Sequence, residues 1–370
     1  MVKLFSILFV VFLFFIPIYA NESSSKTQEN LIHNSAESSE VESPYSDAKN
    51  VGVWCSHKAL QSDYIPFIST HSVGVCNPPH ELNTPSDISD SSQKRNIYFH
   101  FIVGIGISSS INNEYVFENS KMISHLEWKQ YASPVMQANA RLSFFGAFVQ
   151  VEMLSAIPLK CGILNDYDFL LPNSNAISQY SHHSIYLDKR FDFSFKTGYA
   201  FKIKRITLSP YAQITYRLQK WAAHDGYLQY PAGGKWTGTE AKQELSGNII
   251  SYEQSIFLPQ FAFRFAGQIA NAWKLSMHFA ICPYIVADTL DSHFLRKRQF
   301  FDTLRGGFAF TIGAQVEYKK FSISFEYEWL RVLNGTTQSS VIGNASSLTK
   351  DANTSGIKTH LFTGFIKWRM

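Results

Sequence analysis

Residues 307–318 read GFAFTIGAQVEY, and their side chains alternate in character. Phe308, Phe310, Ile312, Ala314, Val316 and Tyr318 fall on one face of an extended chain, and Ala309, Thr311, Gly313, Gln315 and Glu317 on the other. Residues two apart share a face of a β-strand, so this is a strand with one greasy and one small or polar side. The same period runs through 191–196, where Phe191, Phe193 and Phe195 alternate with Asp192, Ser194 and Lys196. It runs again through 322–329, where Ile323, Phe325, Tyr327 and Trp329 alternate with Ser324, Glu326 and Glu328. Further strands are readable near 97–108, 136–154, 206–222, 250–268, 274–288 and 357–368.

These runs are about ten residues or longer, the length a tilted strand needs to cross a bilayer. A secreted β-sandwich, the competing reading, would show shorter strands and more frequent tight turns. Tyr318, Trp329 and Trp368 sit near run ends, as an interfacial girdle requires. In lipid every backbone group must pair within the protein, and strands achieve that only in a closed barrel. The pattern therefore predicts an all-β, antiparallel transmembrane β-barrel over residues 96–370, with its polar face turned to a water-filled lumen.

The remaining segments have other compositions. Lys3 followed by the apolar run Leu4–Ile18 and then Tyr19-Ala20 reads as a secretory signal peptide, with cleavage expected after Ala20. Residues 21–95 begin rich in Ser, Asn, Glu and Asp, bury little apolar surface, and are expected to be mostly disordered. Within them Cys55 and Cys76 are candidates for a local disulfide in an oxidising compartment. A net charge of +4 gives no reason to expect a nucleic-acid partner.

Two pairs of titratable residues have strand spacing. NDYDF holds Asp166 and Asp168, and TLDSHF holds Asp291 and His293. Each pair projects to one face of its strand, and if both faces are the lumen, four groups meet across the barrel mouth. The bland alternative for either pair alone is loop or lumen polarity. His182-His183 are adjacent and must point to opposite faces, so they do not form a metal site, and no zinc set is completed elsewhere. Cys161 and Cys282 lie in strands and read as small apolar fillers or a disulfide. G-x-S-x-G is absent, and LRKRQF at 295–300 is a basic cluster that reads as a solvated face.

These segments, in this order, resemble the omptin family of outer-membrane proteases. EYVF at 114–117 with HLEWK at 125–129 resembles its first hairpin, NDYDF its D-x-D-W segment, and YSHHS, loosely, its S-R-H-P stretch. GNIISYEQSIFLPQFAF resembles the strand before a family proline, DTLDSHF its D-x-D-x-H, and EYEWLRV and GIKTHLFTGFIKW its last two strands. The resemblance implies a ten-stranded barrel of a bacterial outer membrane, extending beyond the lipid, with an active site on the extracellular rim. It implies an endopeptidase acting on cationic peptides or proteins with water as nucleophile and no cofactor or metal. Asp291 and His293 match the family's dyad, Asp166 and Asp168 its acid pair, and Glu114 an acid in the pocket for the basic residue before the cut.

The departures are specific. A second pocket acid falls on Thr289, with Asp288 beside it as a candidate substitute. An acid that favours a basic residue after the cut falls on Gln179, so looser specificity is expected. Two lipid-A-binding arginines fall on Leu218 and Ser255, with Arg217 next door but expected to point the other way. Dependence on lipopolysaccharide is therefore doubtful, although outer-membrane lipid remains the expected surrounding. A catalytically silent barrel acting as an adhesin or host-protein binder is the rival reading; retention of all four matching catalytic residues counts against it.

Overall fold

The computed structural model describes residues 97–370. The expected signal peptide, the extension over 21–95 and the candidate Cys55–Cys76 disulfide lie outside the described residues. The described chain forms fourteen strand segments in one antiparallel sheet: β1 (Ile97–Glu118), β2 (Lys121–Phe144), β3 (Ala147–Ala156), β4 (Leu159–Asp168), β5 (Gln179–Tyr199), β6 (Phe201–Ile203), β7 (Ile206–Gln229), β8 (Gln243–Ala270), β9 (Trp273–Cys282), β10 (Ile285–His293), β11 (Arg298–Gly306), β12 (Phe308–Tyr318), β13 (Phe321–Val341) and β14 (Asn344–Arg369). β3/β4, β5/β6, β9/β10 and β11/β12 are single strands interrupted for one or two residues, which leaves ten crossing strands. β14 pairs with β1, from Ile102 opposite Arg369 to Phe117 opposite Thr354, and so closes the ring. The expected ten-stranded barrel is the structure found.

The interruptions have local causes. Pro158 and Pro283 lack the N–H a ladder needs, and they separate β3 from β4 and β9 from β10. Gly307 divides β11 from β12 at φ 72°, and a Cβ there would lie 2.2 Å from the Arg331 carbonyl oxygen. At one end of the barrel the strands are joined by two-residue turns: Phe145-Gly146, Lys204-Arg205, Asn271-Ala272 and Lys319-Lys320.

Outward-facing apolar side chains occupy the half of the barrel nearest these short turns. Phe261, Phe263 and Phe265 on β8, Met277 and Phe279 on β9, Ile323 and Phe325 on β13, and Phe362 and Ile366 on β14 are all exposed. Trp273 stacks on Tyr318 and Trp368 on Phe321 at the short-turn edge, with centroids 4.7 and 6.4 Å apart. This band is the lipid-facing belt. The strands do not stop with it. β8 is 28 residues long, and the ends of β1, β2, β4, β5, β7, β10, β11, β13 and β14 continue past the belt. Sequence alternation shows less than this because the outer face of the extension meets water, which removes the contrast between faces.

The lumen is not an open water channel at mid-height. Arg217 pairs with Asp192 (3.1 Å) and Glu328 (2.6 Å), and Arg190 with Asp192 (2.9 Å), all deeply buried. Above this lattice Trp128, Trp221 and Tyr252 stack with centroids 5.6 to 6.1 Å apart. Leu164, Ile185, Leu187 and Ile250 pack around them. Below the lattice, a cavity of about 590 Å³ opens toward the short turns. The aromatic layer is the floor on which the candidate site stands.

Candidate active site

The Asp166/Asp168 pair reaches the lumen because of one extra residue. On β4, Leu159 lies opposite Leu187 of β5, while Gly162 lies opposite Ile185, so Cys161 is a bulge. Leu187 and Ile185 are both fully buried, so inward positions are odd-numbered before the bulge and even-numbered after it. Without the bulge, Asp166 and Asp168 would face outward. Gly162 is required there, since a Cβ would sit 1.8 Å from the Lys129 carbonyl oxygen. Past the bulge, Leu164, Asp166 and Asp168 stand opposite Trp128, Leu126 and Ser124 of β2. Ser124 Oγ donates to Asp166 Oδ1 at 3.4 Å.

β10 supplies the second pair without any bulge. Thr289, Asp291 and His293 alternate on one face, opposite Gln254, Tyr252 and Ile250 of β8. Those three partners are all buried, which identifies the face as inward. His293 Nε2–H donates to Asp291 Oδ2 at 2.5 Å, which leaves the lone pair on Nδ1. Phe300 holds the ring edge-on at 5.6 Å. Asp166 and His293 line one small cleft, so one member of each pair faces the other across it.

The electrostatics separate the roles. Burial opposes charging His293, but the Asp291 carboxylate outweighs it, and the imidazole is held above its ordinary value. Burial, reinforced by Asp168, pushes Asp166 up to about 7. Burial also raises Asp168, against the pull of Arg296. The Asp168 charge acts on Asp166, so the titration of the two carboxyls belongs to the pair.

Glu114, on β1 opposite Leu126, is buried at 3% exposure, and its Oε2 has no hydrogen-bond partner among the described residues. Burial raises it well above the carboxylate range, and Asp291, Asp302 and Asp166 add to the effect. Asp291 Oδ1 is likewise buried and unpartnered among the described residues. Uncompensated acid oxygens under a rim suit a cationic guest, which would satisfy them and draw off the proton.

Asp288 does not join this group. Its neighbour Thr289 faces in, so Asp288 faces out, where Arg305 pairs with it at 2.9 Å in an exposed contact. The acid that sequence reasoning missed is Asp302 on β11. It stands directly opposite Thr289, is buried, and accepts hydroxyl hydrogen bonds from Thr289 (2.9 Å) and Thr337 (2.6 Å). Burial raises its carboxyl, and those two hydroxyls pull it partly back. A carboxylate thus sits across one rung from Thr289; only the β10–β11 register reveals it.

Other candidates resolve as structural. His182 and His183 part to opposite faces. His182 joins Asn165 (2.9 Å) outside, while inside His183 Nδ1–H donates to the Asp225 carbonyl (2.6 Å) and Nε2 accepts from Ser181 (2.9 Å). Cys161 and Cys282 are buried free thiols, and each packs in a different apolar cluster. Gln179 faces in opposite Asp168. Arg217 points into the lumen, whereas Leu218 and Ser255 oppose each other on the outer surface.

Known proteins resemble this arrangement to different degrees. The crystal structure of the outer membrane protease OmpT from Escherichia coli matches with a TM-score of 0.63 at 13% identity, over 76% of this chain and 100% of that one. The attachment invasion locus protein Ail of Yersinia pestis gives a TM-score of 0.26 at 10% identity, over 73% of this chain and 98% of that one, too distant to bear on it. No curated protein sequence matches. At 13% identity the OmpT likeness speaks for the fold alone. The sequence itself goes further, because the model of the omptin family matches residues 96–367, the whole barrel with both acidic pairs inside it, and the chain therefore belongs to the omptin family of outer-membrane β-barrels.

Proposed function

We propose that this barrel is an endopeptidase that cleaves cationic peptides or proteins next to a basic residue, at the outer rim of a bacterial outer membrane. The observation that carries the proposal is that His293, held by Asp291, and Asp166, next to Asp168 on its strand, line one cleft above the lipid belt. All four turns at the far end are two residues long while the cleft end carries the longer loops 169–178 and 230–242, which supports reading the cleft end as the exterior one.

In this reading His293 takes a proton from water as the water oxygen attacks the scissile carbonyl. Asp291 keeps the ring in its tautomer and stabilises the imidazolium. A proton on the Asp166–Asp168 pair faces the oxyanion that forms. The C–N bond then breaks, His293 returns its proton to the leaving amine, and a carboxylate and an amine remain. Glu114 and Asp302 hold the Arg or Lys side chain before the cut. Leu218 and Ser255 offer no charge to a lipid phosphate, so turnover is not expected to require lipopolysaccharide.

Quenched peptides containing Arg or Lys, given to refolded protein in detergent with and without lipopolysaccharide, test this directly. Cuts beside the basic residue are expected, and Asp166→Ala and His293→Ala should each abolish them. A folded barrel that cuts nothing in either lipid condition would favour the silent adhesin.

A further inference from the structure

Charge is unevenly distributed around His293 and Asp166. On the β1/β11 side stand Glu114 and Asp302, buried, with Asp291 between them and the dyad histidine. The small cleft lined by Asp166 and His293 is completed by Ser181 and His183 of β5, Tyr230 just after β7, and Arg296 of the β10–β11 turn, and neither Glu114 nor Asp302 lines it. Among the described residues lining this cleft, Asp166 is the only carboxylate, and its pair-mate Asp168 stands just beyond, within 4.0 Å of Arg296. Burial holds the His183 imidazole below its ordinary value, which disfavours its charged form. Gln179 is neutral. Arg296 supplies the positive charge of this cleft. It lies in the basic LRKRQF stretch, whose Arg298 is tied to Ser339 at 2.7 Å. Its ion pair, to Asp168 Oδ2, is long at 4.0 Å, and its side chain is 55% exposed. Such a contact is worth little and leaves the guanidinium available to a stronger partner.

We propose that Arg296 is a specificity-determining residue that selects an acidic side chain, Asp or Glu, on the far side of the scissile bond from the basic one. The preferred substrate is then a peptide with Arg or Lys before the cut and Asp or Glu after it. A basic residue at the second position meets Arg296 as a like charge, so the site selects by repulsion as well as attraction. An acidic side chain docked there also draws Arg296 off Asp168. The inference rests on the proposed endopeptidase activity.

The test compares three quenched peptides that differ only after the cut: Arg-Glu, Arg-Ala and Arg-Lys. The readout is the ratio of kcat/KM between peptides within one protein, which cancels any change in the folded fraction. The wild type should favour Arg-Glu over Arg-Lys by about tenfold, as expected of a partly exposed charge acting once by attraction and once by repulsion. Arg296→Glu should invert the order, and Arg296→Gln should bring the ratio close to one. An unchanged ratio in Arg296→Glu would overturn the assignment while leaving the protease intact. Failure of the wild type to cut all three would overturn the protease reading, and this inference with it.

Discussion

At the scale of single residues, the site joins acids whose carboxyls burial raises to one imidazole that its neighbour raises. His293 accepts a proton only when neutral, so kcat/KM must fall on the acid side of its raised value. The Asp291 carboxylate is what holds it up against burial. Asp291→Asn removes that carboxylate and leaves burial as the largest remaining influence, so the acid limb of the pH profile should move to lower pH. The rate should also drop on the order of 10²- to 10⁴-fold, as expected when a base loses its orienting acid. A kcat/KM profile with an unmoved acid limb would mean that another group governs it. The two pairs were legible in sequence because strand spacing puts Asp166 with Asp168 and Asp291 with His293, while their proposed catalytic roles came from the resemblance to the omptin family. Asp302 was not, because its relation to Thr289 exists only across a rung. Asp288 was misleading for the complementary reason: chain neighbours on a strand never share a face, and its exposed pairing with Arg305 shows where it went.

At the scale of strands, the face presented by each segment is decided by irregularities as much as by pattern. β10 runs true from Ile285 to His293, and its inward face could be read by counting in twos. β4 could not be read that way, because the extra residue at Cys161 exchanges its faces partway along. The bulge depends on Gly162, where any Cβ would collide with backbone. Gly162→Val should therefore leave a barrel that still assembles but misdirects Asp166 and Asp168. A fall in turnover of about 100-fold or more is expected from a misplaced catalytic group, with strand content by circular dichroism retained. Wild-type turnover in this variant would show that the bulge does not set the pair's direction. The strand ends were harder to see in sequence than the strand centres. Beyond the lipid belt both faces of β1, β2 and β14 are polar or mixed, and the period-two signal fades although the ladder continues.

At the scale of the whole molecule, the barrel divides into layers with different solvents. The lower half meets lipid outside and an internal cavity of about 590 Å³ inside. The middle is closed by the Arg190–Asp192–Arg217–Glu328 lattice and by the Trp128, Trp221 and Tyr252 stack. Buried charges are tolerated there because each has a partner; breaking one such pair typically costs about 3–5 kcal/mol. This closure argues against a pore and leaves the upper rim as the place for chemistry. Alternation in the sequence predicted the barrel but promised a wet lumen, since a polar inner face looks the same whether it lines water or a salt-bridge lattice. The central claim is that the rim cleft is a protease facing outward, and intact cells test both halves of it at once. A membrane-impermeant quenched peptide containing Arg would be added to cells displaying the barrel, with His293→Ala displayed at the same level beside it. The account predicts cleavage in the medium by the wild type and none by His293→Ala. Cleavage that survives His293→Ala, or that appears only after the cells are broken open, would contradict it.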